Sequence, residues 1–530
     1  AFFVPADSAS VRLDVPSESV VEVTGNAVWE CVTALPGLQS SESKSAFSVS
    51  AALFSAAVAD GLLRSYPEIS RALHRWEKED SALVSNLLKN EDLKIALLEN
   101  TPWPGAAQDD SERMARLLLL FDKKQVSEVI EKSVDALAHL VRKGGLVWTA
   151  DCEEPSEWVT ERVLTTLAQL RRLGYLPADR RLQQIISEGI QYLDKDVARR
   201  FVKHPKADYM DYVEMRMAFS DIPQPSTARK VTVATVQRLV ADWRDLSLRD
   251  KARAAMILNA NGYQATARGI IESLRQYKAW RQTGLGSTVL NAFADVEPNS
   301  ADVDEIRQWL ISRKQSMDWG NGLRTSDMIA SILSTGKGQW LVPAENSINI
   351  TVNGVEIRHD AEAVVGTFRI DLPKGGIVEV HKGAYPAWGG VWTRISNESA
   401  DVKAAGCDQM SVSRLVSGDL KVGSKVTVTV VIESDRQMDY VVVKSPRPAA
   451  FEPVQQLSRP LWNFGLKTYI EPSNTLTTFF IDRLPKGRTV LTEEFYVSEN
   501  GRFVIAPAEV QSQYAPEFSS HSSGESIEIR

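Results

Sequence analysis

The chain has 530 residues, of which 43% are hydrophobic and 24% are charged, and its formal net charge is −7. Because a single hydrophobic core rarely grows beyond about 250 to 300 residues, this length predicts more than one domain in an ordinary globular protein. The negative charge argues against nucleic acid as a partner, since phosphate binding needs a concentrated basic surface.

The cysteines and the start of the chain limit the class of protein further. Cys31, Cys152 and Cys407 are far apart and odd in number, which excludes a disulfide framework and leaves their redox state open. No run of about 18 apolar residues stands out, so we expect no membrane-spanning segment. The first ten residues lack the charged start of a signal peptide. Residues 11–23 have strand-like sequence, so we expect the chain to be the later part of a longer protein.

Residues 26–338 have mainly helical sequence. Residues 47–62 combine an apolar face with many alanines, which allow a neighbouring helix to approach closely. Residues 125–142 carry an apolar face that ends at a glycine pair. Ser156 stands where an N-cap is expected, and Gly174 is the expected end of that helix. Further amphipathic stretches are expected near 182–193, 207–219, 231–243, 248–258, 265–277, 303–311 and 326–333.

A partial internal repeat suggests how these helices pair. A tryptophan at 148 leads through a loop to the cap at Ser156, and Trp319 leads to an analogous serine, Ser326. Such recurrence favours helical hairpins in a closed ring, and about six hairpins, or eleven to thirteen helices, would make an α/α toroid. An irregular helical domain is the alternative.

The sequence changes to β patterns after a linker at 336–340. Alternating apolar residues on both sides of Asn353-Gly354 predict a β-hairpin. Strands are also expected near 426–430, 440–443, 477–481, 494–497 and 503–505. These spacings suggest two sandwiches, divided near 397–409. The strand at 11–23 could pair with the first of them, which would make the helical domain an insertion.

Motifs for metal binding and catalysis are missing from the sequence. The six histidines never show an HExxH spacing or pair with a cysteine at a zinc-ligand distance. No GxSxG motif occurs, and no cysteine lies in a known nucleophile motif. Acidic pairs such as Glu153-Glu154 are typical of helix starts. We therefore expect no catalytic residue, no metal site and no cofactor.

The last 120 residues carry a recognisable pattern. The segments DRQMDYVVVKSPRPAAFEP at 435–453, FFIDRLPKG at 479–487 and QSQYAPEF at 511–518 resemble the terminal macroglobulin-like domain of bacterial alpha-2-macroglobulins. Upstream, the Ala-Leu-Pro at 34–36 and the following helices look like the thioester domain of that family, itself an α/α toroid. The β segment at 342–400 looks like the CUB-type domain that holds this toroid.

The resemblance implies four segments. These are residues 1–25 (first strands of the CUB-type domain), 26–338 (toroid), 339–400 (remainder of the CUB-type domain) and 401–530 (terminal β-sandwich). The expected fold is thus a multidomain α plus β protein, with an α/α toroid inserted in a small β-sandwich and followed by a macroglobulin-like β-sandwich. Family members trap proteases, and an internal Cys-Gln thioester acylates a lysine of the trapped protease.

That thioester needs a cysteine with a glutamine three positions later, since sulfur must reach one side-chain carbonyl within a tight turn. Ala34, Pro155 and Met410 occupy this third position after the three cysteines, so no thioester can form. The resemblance aligns Glu42, Ser43, Lys44 and Ser45 with the lost Cys-x-Glu-Gln. It aligns Glu30 and Gln513 with two residues that shield the bond, and Tyr514 is retained.

The resemblance implies a non-enzymatic protein of a bacterial periplasm or cell envelope. We expect a monomer whose intact parent traps proteases without a covalent bond, or serves as an envelope interaction scaffold or adhesin. This part alone is not expected to inhibit. The alternative is a carbohydrate-active toroid enzyme, such as a polysaccharide lyase or glycosidase, in which tryptophans such as Trp148, Trp158, Trp319 and Trp340 would stack on sugars.

Overall fold

The structure is a computed structural model. It describes residues 2–4, 8–15, 17–24, 29–39, 44–65, 119–282, 284–316, 319, 322–335, 348–357, 367–383, 387–393, 398–463, 466–513, 515 and 518–530. The linker at 336–340, including Trp340, lies outside the described residues.

The α-helices of the described residues fall between two groups of strands. They are α1 (Trp29–Ala34), α2 (Ala46–Ser65), α3 (Lys123–His139), α4 (Glu157–Leu173), α5 (Arg180–Lys203), α6 (Met210–Met217), α7 (Ser226–Asp242), α8 (Leu248–Ala260), α9 (Gln264–Gln276), α10 (Gly286–Val296), α11 (Ala301–Ser316) and α12 (Gly322–Ser334). Each amphipathic stretch expected from the sequence overlaps one of these helices, although the stretches over 125–142, 207–219, 231–243 and 265–277 extend past the observed helix ends.

Alternate helices contact one another in a closed circuit. α2 contacts α4, α4 contacts α6, and the contacts continue through α8, α10 and α12 back to α2. The helices between them pair with a neighbour in sequence, as α2 does with α3 and α8 with α9. Six of the described helices therefore surround a common centre, and their partners lie against them.

The small residues of α2 allow the expected close packing. The helix has six alanines, of which Ala46, Ala56 and Ala59 are fully buried. A Cβ atom added to Gly61 would lie 2.2 Å from the ring of Tyr175, so only glycine fits at that contact. α2 is also long and apolar enough to cross a membrane, although no membrane-spanning segment was expected from the sequence. However, 72% of its apolar stretch is buried inside the protein. This is the packing of a core helix.

Two helix boundaries lie where the sequence signals predicted them, and two lie elsewhere. Ser156 caps α4 by accepting a hydrogen bond from the N–H of Val159, and Gly174 ends it at a φ of 74°. The helix expected over 125–142 stops at His139, because Val141–Arg142 (β4) pairs with Gly145–Leu146 (β5). Ser326 is not an N-cap: α12 begins four residues earlier, and the Ser326 hydroxyl donates to the carbonyl of Leu323 within the helix.

The first group of strands joins both sides of the helical region. Its amino-terminal strands are β1 (Phe2–Val4), β2 (Ser10–Val15) and β3 (Ser19–Thr24). Its later strands are β6 (Ile348–Val352), β7 (Val355–Ile357), β8 (Thr367–Leu372), β9 (Gly376–Lys382) and β10 (Ala387–Thr393). They form two four-stranded sheets in the orders β1-β10-β3-β8 and β2-β9-β6-β7. The strand expected over 11–23 is thus two strands in different sheets.

The expected hairpin between β6 and β7 is confirmed. Asn353 and Gly354 have φ values of 52° and 78°. Positive φ at both central positions is the requirement of a type I′ turn, which suits the twist of a two-residue hairpin. The valines and isoleucines of both sheets join the buried core of the helices in one continuous cluster.

The second group of strands follows residue 398. It comprises β11 (Ala405–Gly406), β12 (Met410–Gly418), β13 (Lys425–Ser434), β14 (Met438–Pro446), β15 (Phe451–Pro453), β16 (Arg459–Asn463), β17 (Leu466–Pro472), β18 (Leu476–Leu484), β19 (Gly487–Val497), β20 (Gly501–Ile505), β21 (Glu509–Ser512), β22 (Ser519–His521) and β23 (Glu525–Ile529).

These strands, called the terminal unit below, build their own antiparallel sheets. The orders are β11-β22-β21-β14-β18-β17-β16, β12-β13-β19-β15 and β20-β23. Buried and exposed residues alternate along β12 and β13, as expected for sheets with one face in the core. All strands expected near 426–505 are present.

Candidate functional site

The start of α2 is the position at which the sequence comparison places the lost reactive group. Ser45 is buried, and its hydroxyl accepts a hydrogen bond from the N–H of Ser48 at 3.3 Å. The N–H of Ala46 donates to the carbonyl of Trp148 at 2.8 Å, which ties the helix start to the loop before α4. Ser45 therefore caps the amino end of α2, because its hydroxyl accepts from a backbone N–H that has no partner within the helix.

An aromatic cluster lies beside this helix start. The rings of Trp148 and Trp158 stack with centroids 5.8 Å apart and an interplanar angle of 7°. Phe47 meets both indoles edge to face, at 4.7 and 4.9 Å. The two tryptophans are 41% and 58% exposed, so the cluster presents indole rings to solvent. Trp319, by contrast, is buried.

The remaining expected site residues are only partly described. Lys44 is exposed, whereas Glu42, Ser43 and Tyr514 lie outside the described residues. Glu30 belongs to α1, and its side chain is also outside the description. Gln513 is buried in the terminal unit, where its N–H donates to the carbonyl of Tyr440 at 3.0 Å. The assignment of these positions to a degenerate thioester and its shield stays a prediction.

The three cysteines are free thiols in separate surroundings. Cys31 is buried in α1. The Cys152 thiol lies 3.6 Å from the hydroxyl of Thr149, and hydrogen bonds from the backbone and side chain of Thr149 lower the pKa of Cys152. The Cys407 thiol donates to the carbonyl of Met410 at 3.6 Å. Cys152 and Cys407 thus each have a hydrogen-bond partner three residues away in sequence.

A contact between the helices and the terminal unit was not foreseen from the sequence. Arg436, in the turn between β13 and β14, has a side chain only 8% exposed. Its guanidinium lies 5.3 Å from the ring centroid of Trp309 in α11 and 5.2 Å from that of Phe518 in the terminal unit. Its Nε also donates to Asp435 at 2.7 Å. One cation thus bridges aromatic rings from both parts of the chain.

Two carboxyls of α4 have raised pKa values. Burial, followed by a hydrogen bond with Asp196, raises the pKa of Glu157 to about 7. Burial, followed by the charge of Asp211, raises the pKa of Glu161 to about 8. Among the described residues, no group of three or more His, Cys, Asp or Glu side chains could hold a metal ion.

Comparison with known protein families identifies the terminal unit. Residues 393–517 match the family described as the bacterial alpha-2-macroglobulin MG10 domain. The resemblance of the last 120 residues to bacterial alpha-2-macroglobulins is therefore confirmed. The match begins a few residues before the boundary expected at 401. A comparison with curated proteins gives no match.

Two solved structures that are similar to the chain are bacterial alpha-2-macroglobulins. Trypsin-activated alpha-2-macroglobulin from Escherichia coli is 11% identical with a TM-score of 0.45, and the alignment covers 99% of this chain and 36% of that one. Salmonella alpha-2-macroglobulin reacted with methylamine is 12% identical with a TM-score of 0.37, covering 100% and 33%. This chain spans about a third of the length of either protein. Both TM-scores are below 0.5, so the relation to bacterial alpha-2-macroglobulins is based on the family match of residues 393–517.

Proposed function

We propose that the whole chain is the carboxy-terminal part of a bacterial alpha-2-macroglobulin. The proposal is based on residues 393–517, which match the MG10 domain family of these proteins. The closed circuit of α2, α4, α6, α8, α10 and α12 supports an α/α toroid for residues 26–338. The pairing of β3 with β8 and β10 supports its insertion in a CUB-type sandwich made of residues 1–25 and 339–400. Residues 401–530 are the terminal sandwich.

This protein lacks the family's covalent chemistry. A thioester requires a cysteine thiol and a glutamine carbonyl three positions apart, and the third positions after the cysteines hold Ala34, Pro155 and Met410. At the start of α2, the hydroxyl of Ser45 accepts a hydrogen bond from the helix backbone. A serine hydroxyl has no acyl group to pass to a lysine. The missing Cys-Gln pair is the observation that carries this part of the proposal.

The function that follows is non-enzymatic protease trapping by the complete protein, in a bacterial periplasm or cell envelope. Capture is steric, because the protein has no electrophile with which to hold the protease. The exposed indoles of Trp148 and Trp158 lie beside the start of α2 and offer an apolar contact surface. An envelope scaffold that binds another protein with this surface is the second candidate.

Methylamine tests the chemical claim on this chain. Methylamine opens a thioester, adds its own mass to the glutamine and releases a thiol. We expect the intact mass to be unchanged after treatment, and the number of alkylatable thiols in the unfolded chain to remain three. A gain of one methylamine, or a newly released thiol, would disprove the absence of a thioester.

Trypsin tests the trapping claim on the complete protein that carries this chain. After proteolysis, we expect trypsin to elute with the protein in size-exclusion chromatography and to separate from it completely in denaturing electrophoresis. Trapped trypsin should still cleave a small chromogenic peptide but be hindered on a large protein substrate. Unhindered cleavage of the large substrate would reject the trap and leave the scaffold.

A further inference from the structure

The carboxyl end of α5 and the neighbouring α7 have a local charge opposite to that of the chain. Residues 195–208 and 226–238 contain eight Lys or Arg residues and two acidic residues, whereas the chain has a net charge of −7. Both acids are already paired: Asp196 with Arg199 and Arg200, and Asp208 with Arg238. The other five basic residues are therefore an excess of positive charge.

These five basic residues, together called the basic surface below, have side chains without a partner. In the part of the chain that the structure describes, none of them forms a side-chain hydrogen bond or ion pair, and all are exposed; they are Lys195, Lys203, Lys206, Arg229 and Lys230. Lys195 precedes Arg199 by four residues on α5, and like charges at this spacing weaken a helix. Arg229 lies in the first turn of α7, where the helix dipole disfavours a cation. Helix stability therefore does not explain Lys195 and Arg229.

The basic surface is continuous across the two helices. A groove of about 400 Å3 is lined by Phe201 of α5 and by Arg229 and Lys230 of α7. Arg238 of α7 donates to the carbonyl of Lys206 at 3.0 Å, which holds the segment after α5 against α7. Charges from α5, from the segment that follows it and from α7 therefore face the same partner.

Two exposed valines lie among these charges. Val202 is 83% exposed and Val233 is 48% exposed. Val202 directly precedes Lys203, and Val233 lines the same groove as Lys230. Basic and apolar side chains on one surface both contribute at the headgroup level of a membrane. A nucleic acid or a polysaccharide would bind the charges but leave the valines in water.

The lack of fixed partners also favours lipid headgroups over a folded acidic protein. Lysine side chains that nothing holds in place can follow phosphates that move in the plane of a membrane, whereas charges at fixed positions are bound best by preorganised groups. Charges are screened beyond about 8 Å at physiological salt. The local positive charge, and not the net charge of −7, therefore decides such a contact.

We propose that the basic surface adsorbs on a membrane that contains anionic phospholipids, with its cationic groups at the phosphates and with Val202 and Val233 among the headgroups. α5 and α7 lie along the membrane and do not cross it. This binding is independent of protease trapping, and it requires no metal or cofactor.

Co-sedimentation of the 530-residue chain with lipid vesicles tests the proposal. Vesicles of phosphatidylglycerol and phosphatidylcholine in equal parts are compared with vesicles of phosphatidylcholine alone. We expect about tenfold or greater preference for the anionic vesicles, and we expect it to fall as salt screens the charges. The double replacement Lys203→Ala and Lys230→Ala should weaken binding by about tenfold or more, since each basic residue near such a surface contributes a factor of about five.

The double replacement Lys486→Ala and Arg488→Ala is the matched control, because it removes the same charge from exposed positions of the terminal unit. It should bind as the parent does. Replacing both Val202 and Val233 with Ser should weaken binding to anionic vesicles about fivefold and leave binding to heparin unchanged, since only a membrane takes up the valines. All three variants should keep the parent's thermal midpoint.

Three results would overturn the proposal. Equal binding to the two kinds of vesicle would show that the basic surface does not recognise anionic lipid. An equal loss in the two charge variants would show an effect of net charge and not of this surface. Unchanged vesicle binding after replacement of both valines would assign the surface to a soluble polyanion instead of a membrane.

Discussion

At the scale of the residue, the start of α2 is held by hydrogen bonds and aromatic contacts and contains no reactive group. The Ser45 hydroxyl accepts a hydrogen bond from the N–H of Ser48, and the N–H of Ala46 donates to the carbonyl of Trp148, which ties the helix end to the loop before α4. The neighbouring Phe47 fixes two indoles by edge-to-face contacts. The start of α2 is therefore held in place by residues that form no thioester, and its exposed surface is aromatic.

Glu493, in β19, gives a prediction for the pH dependence of stability. Burial raises the pKa of Glu493 to about 7, although a hydrogen bond from Thr477 opposes the rise. The unfolded value is about 4.3, so between about pH 4.5 and 7 the folded state binds more proton than the unfolded state. The contribution of Glu493 to stability therefore falls as pH rises through this window and is constant above it.

Replacement Glu493→Gln removes this titration. We expect the variant to have a higher thermal midpoint than the parent at pH 8 and a similar midpoint at pH 4.5, measured by differential scanning calorimetry of the whole chain. The exposed Glu499→Gln should leave the midpoint unchanged at both pH values. A variant less stable than the parent at pH 8 would contradict the prediction.

At the scale of the element, a buried polar network joins α5 to α6. Asp194 of α5 accepts hydrogen bonds from the Tyr212 hydroxyl at 2.6 Å and from Arg216 Nε at 3.2 Å. The side chains of Asp194 and Arg216 are 3% and 5% exposed. Arg216 also donates to the carbonyls of Phe219 and Ile222, which ends α6 and turns the chain toward α7. One ion pair thus positions two helices and the loop that follows.

Replacement Asp194→Asn keeps the shape of the side chain but leaves Arg216 as a buried, uncompensated charge. Breaking a buried pair in this way costs about 3 to 5 kcal/mol, so we expect a clear fall in the urea midpoint of the helical signal. Asp221→Asn is the control, since Asp221 is 57% exposed in its pair with Arg171 and should cost less than about 1 kcal/mol. Equal midpoints for the two variants would show that the Asp194 network does not hold the helices.

Local signals predicted the elements well where the cause was itself local. The cap at Ser156, the stop at Gly174 and the turn at Asn353-Gly354 follow from hydrogen bonding and φ within a few residues. α10 was missed because it begins at a glycine and has no side-chain cap. That glycine is explained by a distant residue: a Cβ atom on Gly286 would lie 2.2 Å from Leu310.

At the scale of the whole molecule, the chain is joined by contacts between residues far apart in sequence. β3 pairs with β8 and β10 across more than three hundred residues. Alternation in sequence predicted strands there, but it could not assign β2 and β3 to different sheets, because both have the same apolar period. A cavity of about 1120 Å3 is likewise lined from six helices, which are α4, α6, α8, α10, α11 and α12, and from the terminal unit, a set that no local pattern contains.

The same limit explains why the sequence did not identify Arg436. It belongs to the motif at 435–453 that the resemblance uses, yet its aromatic partners come from α11 and from the end of the chain. A cation with a side chain 8% exposed between two rings is a strong contact, since little water competes with it. Arg436 is therefore expected to hold the terminal unit against the helices.

Replacement Arg436→Ala removes both cation–π contacts, each of about 1 kcal/mol, and should release the terminal unit from the helical region. We expect the radius of gyration from small-angle X-ray scattering to increase, and the calorimetric transition to split as the two parts unfold separately. Arg436→Lys should give part of the effect, because an ammonium keeps the charge but lacks the planar face that packs on both rings. Arg502→Ala is the control, since Arg502 is exposed on β20 and its Nε donates to Ser526 within the terminal unit. If Arg436→Ala kept the parent's radius and a single transition, the docking of the two parts would have to depend on their other contacts.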